Sequence, residues 1–305
     1  MIPLWPKLMG VLNITPDSFS DGGSFASLEN CSLKLSELLS FGPAMLDVGA
    51  ESTAPFNSPC PEEKEKSRFL DIFLPVFIEW GEKNQKHPFF LKGTLSIDTY
   101  KPEVFSFVVG KLKPHFPHLK FLWNDVSGVL DKEALRILEE DPKVSYVFCH
   151  NLAPMRKDSS HHMNYAFKGD QQAFLDHLKS YFQQGLDYFE GYQERVFLDP
   201  CFGFSKTLEQ NDFLIQKLPL FIRSFPKETP WIIGVSKKSF LQNAVKEYRQ
   251  SPQDWAPVEC LHTGLLSLWF QRLRGHRLTM RVHNPNVFYG ALKAHTMLSE
   301  ESTIL

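Results

Sequence analysis

Asn13, Asp47, Asp98, Asn124 with Asp125, Asp199, and Arg281 with His283 stand in or just after the last residues of short apolar runs. A buried carboxylate costs several kcal/mol unless it is paired or hydrogen-bonded. One Asp at the end of a strand is usually a turn former or a helix cap. Six such strand ends in one chain point instead to a convergent site, because paired titratable groups gather where function sits. The chemistry divides in two. Asp98, Asn124 and Asp199 offer acceptors and amides with little positive charge among them, which suits a neutral planar heterocycle with several N–H donors. Asn13, Arg281 and His283 offer an amide, a forked cation and an imidazole, which suits phosphate oxygens.

Two further stretches carry candidate chemistry. Residues 9–23 read as a buried strand ending at Asn13, followed by a polar loop with Pro16, Asp17, Ser18 and a Gly22-Gly23 pair. Backbone of this kind can close over a ligand. Residues 234–240 (Gly-Val-Ser-Lys-Lys-Ser-Phe) run from a strand end into a helix. A helix N-terminus with Ser236 and Lys238 can hold an anion or a ring edge.

The elements that must position these residues follow from hydrophobic pattern. The apolar runs fall at 8–12, 44–49, 94–98, 121–125, 144–150, 195–199, 231–236 and 278–283. Helical spacing is read at 61–80, 102–112, 131–139, 171–189, 208–225 and 257–273, with a further helix at 31–41. Strands alternating with helices predict parallel βαβ units. Eight such units predict an α/β fold of the closed (β/α)8 TIM-barrel type, with an open doubly wound sheet as the competing pattern. In a barrel, the strand-end residues collect at the C-terminal face. Residues 151–170 show no clean period and read as an excursion over that face. No linker or repeat divides the chain, so residues 1–305 are expected to form one domain.

Composition excludes some partners. The formal net charge is -2, so no basic field draws in nucleic acid, and no apolar run approaches a membrane span. The five cysteines are odd in number and none lies in a CxxC spacing. Neither a disulfide framework nor a zinc site is therefore expected, and a reducing cytoplasm fits best. The N-terminal residues are too short and Pro-rich for a signal peptide. Phe is abundant, at 27 residues, which supplies core and faces for ring stacking.

At these residues the chain resembles the dihydropteroate synthases, a family of pterin-binding (β/α)8 enzymes, over almost its whole length. MGVLNITPDSFSDGG, LDVGAEST, SIDTYKPEV, WNDVSG, FLDPCFGFSKTLEQN, GVSKKSF and RVHNP resemble the family signatures and occur in family order. The resemblance implies that Asp98, Asn124, Asp199 and Lys238 grip a pterin ring. It implies that Asn13 holds a magnesium ion and diphosphate, helped by Thr53, Arg281 and His283. Ser18, Phe19, Pro55 and Ser236 would form the 4-aminobenzoate site. Asp98, Lys238, Arg281 and His283 would carry the catalysis. The implied reaction joins (7,8-dihydropterin-6-yl)methyl diphosphate to 4-aminobenzoate, releasing diphosphate and 7,8-dihydropteroate. A cytoplasmic homodimer is implied as well.

The chain departs from the family pattern at several positions. Ala54 stands where Arg is usual, Lys237 where Arg is usual, and Asn284 where Asp is usual. Ala50, Cys201 and Ser205 occupy positions where Gly is usual, and the fifth strand ends Cys149-His150-Asn151. These changes bear mostly on the aminobenzoate end. The alternatives are a methyltetrahydrofolate methyltransferase-like barrel, which needs neither the 15–23 loop nor Arg281-Val282-His283, and a non-catalytic pterin-binding paralogue.

Overall fold

A computed structural model describes residues 5–15, 23–52 and 58–301, with side chains for all of these except 23–26 and 298–301. Its strands are β1 (Lys7–Asn13), β2 (Met45–Gly49), β3 (Thr94–Asp98), β4 (Lys120–Asp125), β5 (Val144–Cys149), β6 (Val196–Asp199), β7 (Trp231–Ile233) and β8 (Leu278–Val282). All pair in parallel, in sequence order, and β8 closes onto β1 through Met9↔Arg281 and its neighbours. The closed (β/α)8 barrel is thus present, and the open-sheet alternative is excluded.

Strand parity sorts the side chains. Met9, Met45, Leu122, Val147, Phe197 and Ile232 fill the barrel interior. Leu8, Leu46, Phe121, Tyr146, Leu198 and Trp231, each one residue away, face outward into the core beneath the helices. Successive side chains point to opposite faces of a strand. Hence Asp47, Asn124, Cys149 and Asp199, two residues beyond interior positions, also point inward, at the C-terminal mouth. On β8, Leu278, Met280 and Val282 belong to the outer core, which turns Arg281 inward. Asp125 has the opposite parity to Asn124 and leaves the barrel.

The helices are α1 (Gly23–Ser40), α2 (Glu62–Arg68), α3 (Leu74–Lys83), α4 (Pro88–Lys92), α5 (Pro102–Leu112), α6 (Lys132–Glu140), α7 (Gln171–Tyr188), α8 (Leu208–Arg223), α9 (Ser239–Ala244), α10 (Ala256–Arg272) and α11 (Pro285–Glu301). The helix expected at 61–80 is two helices joined by a π-helical turn at Phe69–Phe73. The one expected at 31–41 begins eight residues earlier, at Gly23. β7 is shorter than its apolar run, ending before Gly234. α4 and α11 escape the sequence reading, because α4 is a single turn and more and α11 buries only a narrow stripe including Val287, Phe288 and Ala291. Local chemistry starts the helices that follow the mouth loops. Asp131 caps α6 and Asp170 caps α7, while Thr207 and Gln210 form a capping box on α8.

The 151–170 excursion is not free backbone. Its Arg156–Tyr165 segment is 3-10 helical, with a kink at His161. Ser159, Ser160 and His162 are buried in it, and Arg156 reaches from it to Asp125 and Asp131.

Candidate active site at the barrel mouth

Asp47 is the hub of the mouth. It is fully buried, and a lone carboxylate there would be costly. Three donors answer it. Ser96 Oγ donates at 2.6 Å and Asn124 Nδ2 at 3.1 Å to one oxygen, while Arg281 Nε donates at 2.6 Å to the other. The same guanidinium reaches across with Nη2 to Asp98 Oδ2, also at 2.6 Å. Burial alone would disfavour the Arg281 charge, but Asp47, Asp98 and Asp199 outweigh it and hold the guanidinium above its ordinary range. Asp98 is raised to about 7, chiefly by burial and further by Asp47, with Arg281 opposing.

On the opposite side, Asp199 Oδ1 accepts the backbone N–H of Cys201 at 2.6 Å. Burial raises its pKa, and that N–H, Arg281 and Lys238 oppose the rise. Lys238 is lowered to about 8, first by burial and then by Arg281. Its ammonium lies 4.9 Å over the Phe204 ring. The loop carrying Phe204 is built on left-handed backbone, with φ of 52° at Cys201, 87° at Gly203 and 50° at Ser205. That conformation costs a non-Gly residue about 1–2 kcal/mol, so Cys201 and Ser205 stand where glycine would be unstrained. Here the loop is tied by other means. Ser205 Oγ donates toward Asn151 and the His162 carbonyl and accepts from Leu152 N–H. Lys206, buried, reaches the carbonyls of Cys201 and Phe204 and sits 2.8 Å from His150 Nδ1.

Cys149 and Cys201 are joined by a disulfide, with Cα atoms 5.6 Å apart. This corrects the expectation of unpaired thiols. The two residues are far apart in sequence but stand on neighbouring strand ends, where β5 pairs β6 at Cys149↔Asp199, and no linear spacing reveals that. Cys31, Cys60 and Cys260 are free. With Tyr100, Val126 and Phe204, the bonded pair makes a small apolar cluster beside the polar groups.

The structure therefore brings Asp98, Asn124, Asp199, Lys238 and Arg281 to one mouth. It does not keep a ring-binding half apart from the cations, as the residue types had suggested: Arg281 lies against Asp98, and both cations influence Asp199. Asp125 also parts from its neighbour. It is buried outside the barrel, accepting from Tyr146 Oη at 2.7 Å and from Arg156. His283 Nδ1 shares a 3.0 Å hydrogen bond with Ser236 Oγ, which also accepts the His283 backbone N–H at 3.2 Å. Burial, with Arg281 and the nearby lysines, lowers His283 well below the usual imidazole range. At neutral pH it offers an N–H rather than a cation. Ser18, Phe19, Thr53, Ala54 and Pro55 lie outside the described residues. Sequence reasoning placed Asp47 among the convergent strand ends but gave it no role, and it passed over Phe204, Lys206 and Arg156.

Asn13 ends β1 and is partly exposed at the mouth. Its Oδ1 and Asp98 Oδ2 lie 3.6 and 3.5 Å from the point where a Cβ on Gly49 would stand. The glycine thus leaves a small cradle with two oxygens on its rim. Among the described residues no group of three or more His, Cys, Asp or Glu is placed to hold a metal. Asp98 Oδ2 already accepts from Arg281 Nη2, so of the two only Asn13 Oδ1 could meet a hard cation, which would keep most of its waters.

The pterin binding enzyme family model matches residues 9–267 of the chain. The folate synthesis bifunctional protein of Arabidopsis thaliana is 28% identical over 287 residues, covering 91% of this chain and 53% of that protein. The chain thus spans about half the length of these plant relatives. The dihydropteroate synthase of Bacillus subtilis is 27% identical over 237 residues, covering 77% of this chain and 71% of its own. The solved structure of dihydropteroate synthase from Thermus thermophilus in complex with 4-aminobenzoate is 28% identical, with a TM-score of 0.67 and coverage of 96% and 95%. With the family match running through β1 to α10, the chain belongs to the pterin-binding enzyme family.

Proposed function

We propose that this chain is a dihydropteroate synthase, which condenses (7,8-dihydropterin-6-yl)methyl diphosphate with 4-aminobenzoate to give 7,8-dihydropteroate and diphosphate. One observation carries the reading: inward strand ends bring Asp98, Asn124 and Asp199, and the start of α9 brings Lys238, around one mouth, with Arg281 locked among them by Asp47. The carboxylates accept the N–H donors of the pterin edge, and Phe204 with Lys238 gives the ring a face to lie beside. As the C–O bond to diphosphate breaks, positive charge grows on the pterin methylene, and Asp98 is placed to stabilise it. Arg281 and the His283 N–H meet the departing diphosphate. The amine nitrogen of 4-aminobenzoate then forms the new C–N bond and loses a proton to water. Positioning matters more here than a strong base, because the arylamine is already neutral near pH 7. Asn13 would hold a magnesium ion, whose charge supports the leaving diphosphate.

The aminobenzoate site is assigned to Ser18, Phe19, Pro55 and Ser236, of which only Ser236 lies among the described residues. An arginine supplied at Ala54 is expected to lower the KM for 4-aminobenzoate; an unchanged KM would show that another group compensates. We also propose a homodimer, for which α10 and α11 offer exposed Leu268, Tyr289 and Met297. A cytoplasmic location rests on the family resemblance, since the Cys149–Cys201 disulfide removes the support that unpaired thiols would have given it. Sedimentation of the purified protein tests the dimer.

Mixing the protein with the pterin diphosphate, 4-aminobenzoate and magnesium tests the reaction. Diphosphate is expected only when the amine is present. Pterin binding without amine-dependent diphosphate release would identify a non-catalytic paralogue instead.

A further inference from the structure

Arg156 lies in none of the groups just assigned, yet its guanidinium has four polar partners: Asp131, Asp125, Ser127 and the Tyr100 carbonyl. It opens the Arg156–Tyr165 segment of the excursion after β5. Its Nε and Nη2 make a two-point contact with Asp131, at 2.8 and 3.0 Å. Its Nη1 donates to Asp125 Oδ2, to Ser127 Oγ at 3.1 Å and toward the Tyr100 carbonyl at 3.4 Å. The guanidinium plane also lies 4.8 Å from the Trp123 ring. One side chain therefore ties together the β3 loop, the end of β4, the start of α6 and the β5 excursion.

Two routes lead from this latch to the pterin slot. The first runs through the end of β4. Asp125 is buried, and its two oxygens are taken by Ser127 N–H, Tyr146 Oη and Arg156. The peptide it anchors carries Asn124 on one side and Val126 on the other. The second route runs along the segment. Six residues after Arg156, His162 stacks on Phe204 with centroids 4.1 Å apart and planes at 27°. Phe204 in turn lies beneath the Lys238 ammonium. Arg156 itself packs on the outward face of β4, against Trp123 and Asp125, and acts on the slot only through these two relays: the Asp125 peptide to the Asn124 wall, and His162 to the Phe204–Lys238 wall.

We propose that Arg156 is a positioning residue that fixes the width of the slot between these walls. The inference rests on the pterin-binding reading above. Ligand groups held loosely, off by even 1 Å, lose affinity and rate by large factors. Lysine cannot replace a guanidinium here, because it has neither the two-point fork for Asp131 nor the planar face for Trp123.

The test is calorimetric titration with 6-hydroxymethylpterin, together with steady-state kinetics. Wild type is expected to bind the pterin; failure of wild type to bind overturns the functional reading and the latch with it. Arg156→Lys is expected to weaken pterin binding about tenfold while the KM for 4-aminobenzoate stays within about twofold. Arg195→Lys is the matched control. Arg195 donates to the carbonyls of Leu138, Asp141 and Val144 at the other end of the barrel. It is expected to lower the melting temperature without moving pterin affinity. Asp131→Asn weakens the same latch at a half-exposed partner, and gives a second reading if Arg156→Lys does not fold. Its pterin affinity is expected to fall about threefold, as a charge-assisted contact becomes a neutral one. With wild type binding, unchanged pterin affinity in the latch variants, or equal losses for both substrates, overturns the proposal.

Discussion

Asp98→Ala is expected to abolish measurable pterin binding and to lower kcat by ~10²–10³-fold, the scale of removing one preorganised charge-stabilising group. The carboxylate ends β3 with its oxygen on Arg281 and its other face toward the slot. No other described carboxylate both faces the slot on this side and lies beside the proposed diphosphate ligands, since Asp47 is sealed behind Arg281, Ser96 and Asn124. The fold is expected to survive, because Arg281 keeps its bond to Asp47. Asp98→Asn separates two parts of the role. It keeps one oxygen acceptor for the ring but removes the charge, so pterin affinity should fall less than kcat. Pterin affinity equal to wild type in Asp98→Ala would refute the assignment.

The same group sets a pH signature. Asp98 is raised from 3.8 to about 7 by burial, and Lys238 is lowered from 10.5 to about 8 by burial. The carboxylate is the form that accepts N–H donors, so affinity for 6-hydroxymethylpterin, measured without magnesium, should rise as pH passes 7. The Lys238 charge is lost as pH passes 8, which gives a descending limb if that charge supports the ring. Stability should move the other way on the acid side. Between pH 4 and 7 the folded state keeps a proton that the unfolded chain has lost, so stability falls with rising pH across that window. Asp98→Asn should flatten the ascending limb of binding and remove its share of the stability slope.

These expectations use geometry that the sequence half disclosed. The barrel was legible because eight apolar runs alternate with helices, and because parity along each run sends every second residue inward. Asn124 and Asp199 could be assigned to the mouth on that basis. Parity also separates Asp125 from Asn124, and it marks Asp47 as an interior group; both follow from counting alternate residues from Leu122 and Met45. What the sequence could not give is pairing across the mouth. Arg281 contacts Asp47 and Asp98 at sequence separations of 234 and 183, distances at which no local pattern operates. The Cys149–Cys201 bond and the reach of Arg156 to Asp125 are of the same kind. The α2–α3 break was hidden for another reason: a π-helical turn keeps the apolar spacing nearly helical while shifting the ladder by one residue.

Arg281 gives the other large expected effect, and it separates folding from chemistry. Arg281→Met should lower stability by roughly 3–5 kcal/mol, because it leaves the fully buried Asp47 with only the Ser96 and Asn124 donors. Asp98 is less affected: already poised near pH 7, it can take up a proton instead. Adding Asp47→Asn to Arg281→Met removes the stranded charge while keeping the side chain's shape. The double variant should therefore be more stable than Arg281→Met, with a coupling of about 2 kcal/mol between the two sites in denaturant unfolding. Catalysis should not return with stability. Arg281 is the forked cation assigned to the diphosphate, so both variants should stay at least ~10³-fold below wild type in kcat/KM. The methionine stem can still fill the space beside Gly234, where the Arg281 Cβ and Cδ lie 3.6 Å from the point a Cβ on that glycine would occupy, so loss of packing will not mimic loss of charge. If the double variant were no more stable than Arg281→Met, the ion pair with Asp47 would not be what holds the mouth together. If it regained activity along with stability, Arg281 would be a structural strut, and the cation for the leaving group would have to be sought elsewhere at the mouth.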